Sequence, residues 1–155
     1  MEYEFLLSEC DFEGLIAKEK PLKYNDGRIK GNRIAIRRSI ETTKEKACVL
    51  AEELGHYYTT VGDILDQNDV SNRKQEYRAR LWGYDKMIGL QGLIAAHEAH
   101  CENSFETAEY LGVTEQYLKE VIECYRSKYG TRTCYGDYII SFEPHIGVSK
   151  KNLFP

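Results

Sequence analysis

The chain has 155 residues, of which 42% are apolar and 30% charged, and its formal net charge is −4. That length is enough for one domain with a real core, and no apolar run approaches the roughly 18–20 residues of a membrane helix. The acidic balance argues against a protein whose main business is gripping nucleic acid, which shows a basic excess.

The start, Met1-Glu2-Tyr3-Glu4-Phe5, lacks the basic start and apolar stretch of a signal peptide, so a cytoplasmic location is expected. Residues 6–10 read as a short opening helix. Three extended pieces follow at 14–17, 28–30 and 33–37, divided by the turn signals Pro21, Asn25-Asp26-Gly27 and Gly31-Asn32. Ile34 and Ile36 alternate with Arg33, Ala35 and Arg37, the period of a half-buried strand. A small antiparallel sheet is expected, with an outer edge to which a peptide could pair. Thr42 and Glu45 form a capping box, so a helix starts near Thr43, with Ala47, Leu50, Ala51, Leu54 and Tyr58 at helical spacing. A second helix is expected over 72–87, packing through Tyr77, Leu81, Trp82 and Tyr84, and a third helical stretch over 92–100.

Residues 104–129 carry Phe105, Ala108, Leu111, Val113, Leu118, Val121 and Ile122 around Leu111-Gly112-Val113-Thr114. Two short helices meeting at Gly112, the second capped by Thr114, make a helix-turn-helix-like pair. Its charge is wrong for DNA. Glu106, Glu109, Glu115, Glu120 and Glu123 outnumber Lys119, Arg126 and Lys128, so counterion release has little to work with. Packing, or holding a protein, is the favoured use. Residues 131–142, with Tyr135-Gly136-Asp137, suggest a terminal hairpin before Pro144. Cys10, Cys48, Cys101, Cys124 and Cys134 are widely spaced without a C-x-x-C pair, which fits small residues, most of them buried, in a reducing compartment.

The feature that points to chemistry is Glu52-Glu53-Leu54-Gly55-His56, the H-E-x-x-H zinc-protease helix with glutamate in place of its first histidine. Positions i and i+4 share a helical face, so Glu52 and His56 stand where two metal ligands belong and Glu53 where the general base belongs. Glu76, twenty positions after His56 on the second helix, suits a third ligand. Taken alone, the same residues also fit a solvated acidic face. His97-Glu98-Ala99-His100-Cys101 has the wrong spacing for such a site and reads as a polar helix end. Gly55 fits either close helix packing or access of a strand to the metal. Tyr57 and Tyr58 could donate a hydrogen bond to a developing oxyanion near a metal, but packing is the favoured role for both. Arg33, Arg37, Arg38, Lys44 and Lys46 form a basic patch suited to an acidic protein surface.

The stretch Lys46-Ala47-Cys48-Val49-Leu50-Ala51-Glu52-Glu53-Leu54-Gly55-His56-Tyr57-Tyr58 resembles the ImmA/IrrE family of zinc metallopeptidases, and so does residues 74–86 around Glu76 and Ala79. The resemblance covers about residues 34–96. It implies a zinc-dependent protease that cleaves a helix-turn-helix repressor of a phage or mobile element and so derepresses its genes. By position it makes Glu52, His56 and Glu76 the metal ligands and Glu53 the catalytic base. Two carboxylates and one imidazole form a harder, charge-neutralising set, so manganese or iron competes better with zinc than at a two-histidine site.

The expected fold is α+β: a small N-terminal antiparallel sheet on a helical zincin-like core, then the helix-turn-helix-like pair and hairpin. The expected division is a metallopeptidase-like segment over 1–96 and a C-terminal segment over 97–155. Metal-dependent endopeptidase action on a regulatory protein is the leading reading. Its rival is a non-catalytic antirepressor that binds the repressor uncut, needs no hydrolysis and can dispense with the cofactor, and a DNA-binding regulator ranks third.

Overall fold

The computed structural model describes residues 2–60 and 69–151. They form two compact units, Met1–Met87 and Ile88–Pro155. The class is α+β, with six helices and two three-stranded sheets among the described residues.

In the first unit, α1 (Tyr3–Phe12) buries Tyr3, Leu6 and Cys10, one residue per turn. It ends in a turn at Gly14, whose φ of +76° suits glycine, while the Leu15 N–H returns to the Cys10 carbonyl. That turn uses residues 13–15, so β1 (Ile16–Lys20) starts later than the extended run expected from residue 14. β2 (Gly27–Lys30) and β3 (Arg33–Arg37) form a tight hairpin in which Ile29 pairs with Ile34. β1 lies on the other side of β3 and runs parallel to it, giving the order β1-β3-β2. The sheet is therefore mixed. β3 takes the centre because it carries the two apolar residues that must be covered, Ile34 and Ile36, at 2% and 0% exposure.

α2 (Thr43–Thr59) begins as the capping box requires, with Thr42 Oγ1 accepting from the Glu45 N–H at 3.2 Å. Ala47, Leu50, Ala51 and Leu54 are buried as its spacing predicts, whereas Tyr58 is 45% exposed. α3 (Asp69–Met87) packs on α2 through small residues. A Cβ on Gly55 would clash with the Ala79 carbonyl oxygen, and one on Gly83 would lie 3.2 Å from the Ala51 carbonyl oxygen. Gly55 opposite Ala79 and Ala51 opposite Gly83, one turn apart, define two helices running in opposite directions at close range. This decides between the two uses of Gly55: its missing side chain admits the neighbouring helix. It also corrects one of the residues expected to pack α3, Tyr77. Tyr77 is 45% exposed, whereas Tyr84 is buried and Trp82 stacks on Tyr58 as packing residues, and among the described residues Ala79, Gly83 and Met87 are buried with them. Only small residues fit at the points where the two backbones touch.

The second unit holds α4 (Gly89–Glu98), α5 (Ser104–Leu111) and α6 (Glu115–Tyr129). Asn103 caps α5, Gly112 (φ +70°) turns the chain, and Thr114 Oγ1 accepts from the Tyr117 N–H at 3.0 Å to start α6. Ala108, Leu111, Val113, Leu118 and Val121 close the helical pair, while Phe105 is 58% exposed. The expected hairpin is β4 (Arg132–Tyr135) and β5 (Tyr138–Ser141), joined by a two-residue turn with glycine first, Gly136 at φ +58°. A third strand, β6 (Gly147–Lys150), completes an antiparallel sheet and lay outside the sequence expectation. Ile140, Phe142 and Tyr125 fill its core. No helix among the described residues is long and apolar enough to cross a membrane.

Candidate metal centre

The antiparallel contact of α2 with α3 sets the site. One turn of α2 carries Glu52, Glu53 and His56, and α3 presents Glu76 and Arg80 one turn apart. His56 faces Glu76 and Glu52 faces Arg80, in the same register as the Gly55–Ala79 and Ala51–Gly83 contacts. Glu52, His56 and Glu76 each offer one ligand atom, all within 4.8 Å of one another. His56 Nε2 stands 3.5 Å from Glu76 Oε2. Two ligands about 2.1 Å from one tetrahedral ion lie about 3.4 Å apart, so this pair is spaced to share a metal. Imidazole and carboxylate are both zinc donors, so the residues fit the ion that the motif implies. Glu52 Oε1 is also engaged, 3.7 Å from Arg80 Nε.

Glu53 follows Glu52 on the same turn of α2 and is 9% exposed, the one buried charged residue among the described residues. Burial, with the charges of Glu52 and then Glu76 adding to it, raises its carboxyl from the ordinary 4.5 to about 7. β2 crosses directly over it. A Cβ on Gly27 would lie 2.8 Å from Glu53 Oε1 and 2.7 Å from Val49 Cγ1, so any other residue there would displace the Glu53 or Val49 side chain. A carboxyl poised near neutrality beside a three-donor cluster can take and return a proton.

The other candidates sit elsewhere. His97 and His100 are exposed at the end of α4, in the second unit, and neither belongs to a metal-competent cluster among the described residues. Tyr58 stacks on Trp82 with ring centroids 5.0 Å apart, and Tyr57 meets Tyr58 edge-on, so both tyrosines join a half-exposed aromatic cluster. The basic patch is partly spent within its own unit. Lys46 Nζ lies 2.6 Å from Glu19 Oε1, Arg37 bonds the Asn25 carbonyl, and Arg38 bonds the Glu19 carbonyl. Sequence reasoning missed Arg80 and Gly27. Arg80 stood one turn after Glu76 and could have been noticed. Gly27 looked like turn punctuation, because its role depends on where β2 crosses α2.

The chain matches the family described as the IrrE N-terminal-like domain, peptidase family M78, over residues 12–123, well over half its length. It belongs to that family. Neither a curated protein nor a solved structure matches the chain. The IrrE-like match contains the whole Glu52–Glu76 cluster and continues through α4 and α5 into α6. An IrrE-like domain is thus a peptidase-family fold in which this chain places glutamate at position 52, where the zinc-protease motif has histidine.

Proposed function

We propose that this IrrE-like protein is a metal-dependent endopeptidase acting on a regulatory protein, a helix-turn-helix repressor of a phage or mobile element. The observation that carries the reading is Glu53, a buried carboxyl raised to about 7 and set beside three side chains able to hold one cation.

Glu52, His56 and Glu76 would hold the ion, zinc by preference, with manganese or iron favoured by the second carboxylate. A divalent ion bound there would supply Lewis acidity to a scissile carbonyl and make water easier to deprotonate. Glu53 accepts the proton of the attacking water at a carboxylate oxygen and delivers it to the leaving amine as the peptide bond breaks. A cation among Glu52, His56 and Glu76 also relieves the repulsion those carboxylates exert on Glu53, which favours the ionised base. Among the described residues β2 pairs with β3 alone, so its outer edge offers backbone groups to an extended substrate. Such a segment would run beside Gly27, where the strand touches Glu53.

The test is incubation with the repressor encoded beside the protein, with and without chelator. Chelator-sensitive fragments are expected from the wild type. Glu53→Gln is expected to bind metal and yield no fragments, and His56→Ala to lose both properties. Cleavage retained in Glu53→Gln would overturn the mechanism. A stable complex without fragments would favour the antirepressor reading, and salt-sensitive duplex binding the regulator reading.

A further inference from the structure

We propose that Arg80 is a charge-balancing residue of the metal centre, offsetting the carboxylate that Glu52 puts in place of histidine; the inference rests on the metal reading above. Arg80 follows Glu76 by one turn of α3, and its Nε reaches 3.7 Å from Glu52 Oε1 on α2. The position is built into the fold. The Ala51–Gly83 contact, adjacent in the same register, holds the two backbones close enough for this pair to meet. Glu76 preceding Arg80 at i and i+4 is also the favourable order for opposite charges on one helix.

As a surface ion pair this contact would add little to stability, since the two side chains are 58% and 42% exposed. Its weight lies in the charge count. A divalent ion held by two imidazoles and one carboxylate keeps one formal positive charge, and that set is an ordinary catalytic one. Held by Glu52, Glu76 and His56, the ion is fully neutralised. The guanidinium beside Glu52 returns the local total to one positive charge. Arginine serves because it stays protonated at any working pH. The same charge repels an incoming cation, so Arg80 weakens metal binding while keeping the centre electropositive. Of the two carboxylates, Glu52 is the one that stands in for histidine, and it is the one Arg80 meets.

The effect can be read without any cleavage assay. Zinc affinity is measured by competition with a chromogenic chelator for wild type, Arg80→Gln, Arg80→Lys and His56→Ala, with circular dichroism to confirm folding. Arg80→Gln is expected to bind zinc several-fold to about tenfold tighter, the size of removing one nearby like charge from a half-solvated, partly screened site. Arg80→Lys keeps the charge and is expected to stay within about twofold of wild type, on the same electrostatic ground. Unchanged affinity in Arg80→Gln would overturn the assignment, because the pair would then have no bearing on the centre. Weaker binding in Arg80→Gln would overturn it too, showing that Arg80 only holds Glu52 in place. Failure of the metal reading looks different: the wild type would then bind no more zinc than His56→Ala, and both proposals would fall together.

Discussion

Glu53 is a carboxyl group in surroundings that disfavour its charge, and this has a consequence for stability. Its folded value, about 7, lies above the ordinary 4.5. A raised acid contributes stability that is fully present below its unfolded value and is lost as pH rises through the folded one. In the metal-free protein the loss therefore builds from about pH 4.5 and is complete above about pH 7, on the order of 3 kcal/mol for a shift of this size. Glu53→Gln is expected to match wild type near pH 4 and to exceed it near pH 8, by urea unfolding in the presence of chelator. A constant difference across that range would show that Glu53 does not titrate in the fold. The residues of the cluster were legible in the sequence because helical spacing alone puts Glu52 and His56 on one face. Glu76 was legible from its distance down the chain. Arg80 and Gly27 were not, since what makes them matter is a neighbour from another element.

At the scale of elements, the α2–α3 contact carries the most stringent demand. Gly55 has no room for a Cβ against the Ala79 carbonyl, which is backbone and cannot rotate aside. Gly55→Ala is expected to destabilise the unit by about 3 kcal/mol, the upper range for overpacking, although alanine is the better helix former. Because the same displacement would part His56 from Glu76, zinc affinity should fall as well. Gly83→Ala, where a Cβ would still lie 3.2 Å from the Ala51 carbonyl oxygen, should cost less. Thermal melts and chelator competition on both variants would check this order, and equal costs would count against the backbone clamp. Helix starts were readable at the caps Thr42 and Thr114, while the Asn103 cap of α5 was passed over. The parallel pairing of β1 with β3 was not, because nothing local to residues 16–20 records which strand will take the centre. β6 was hidden for a similar reason: its Gly-Val-Ser-Lys sequence has one apolar side chain and gains its place only by pairing with β5.

For the whole molecule, a ligand that binds only the folded chain must raise its stability. Free zinc at a hundred times its dissociation constant should add about 2.7 kcal/mol to the wild type and nothing to His56→Ala, seen as a shift in melting temperature. The increment should fade on acidification, since protons compete with metal for imidazole and carboxylate alike. A shift equal in both proteins would place the zinc somewhere other than this cluster. The small-residue clamp of α2 on α3 has one further implication, for recognising kin. Donor atoms can be exchanged while helices stay put, as glutamate at position 52 illustrates, but backbones in contact admit almost no exchange. A relative that had lost every donor could still be found by its spacing of paired Ala and Gly, here at 51, 55, 79 and 83. In such a lineage the fingerprint of ancestry would be the places where nothing protrudes.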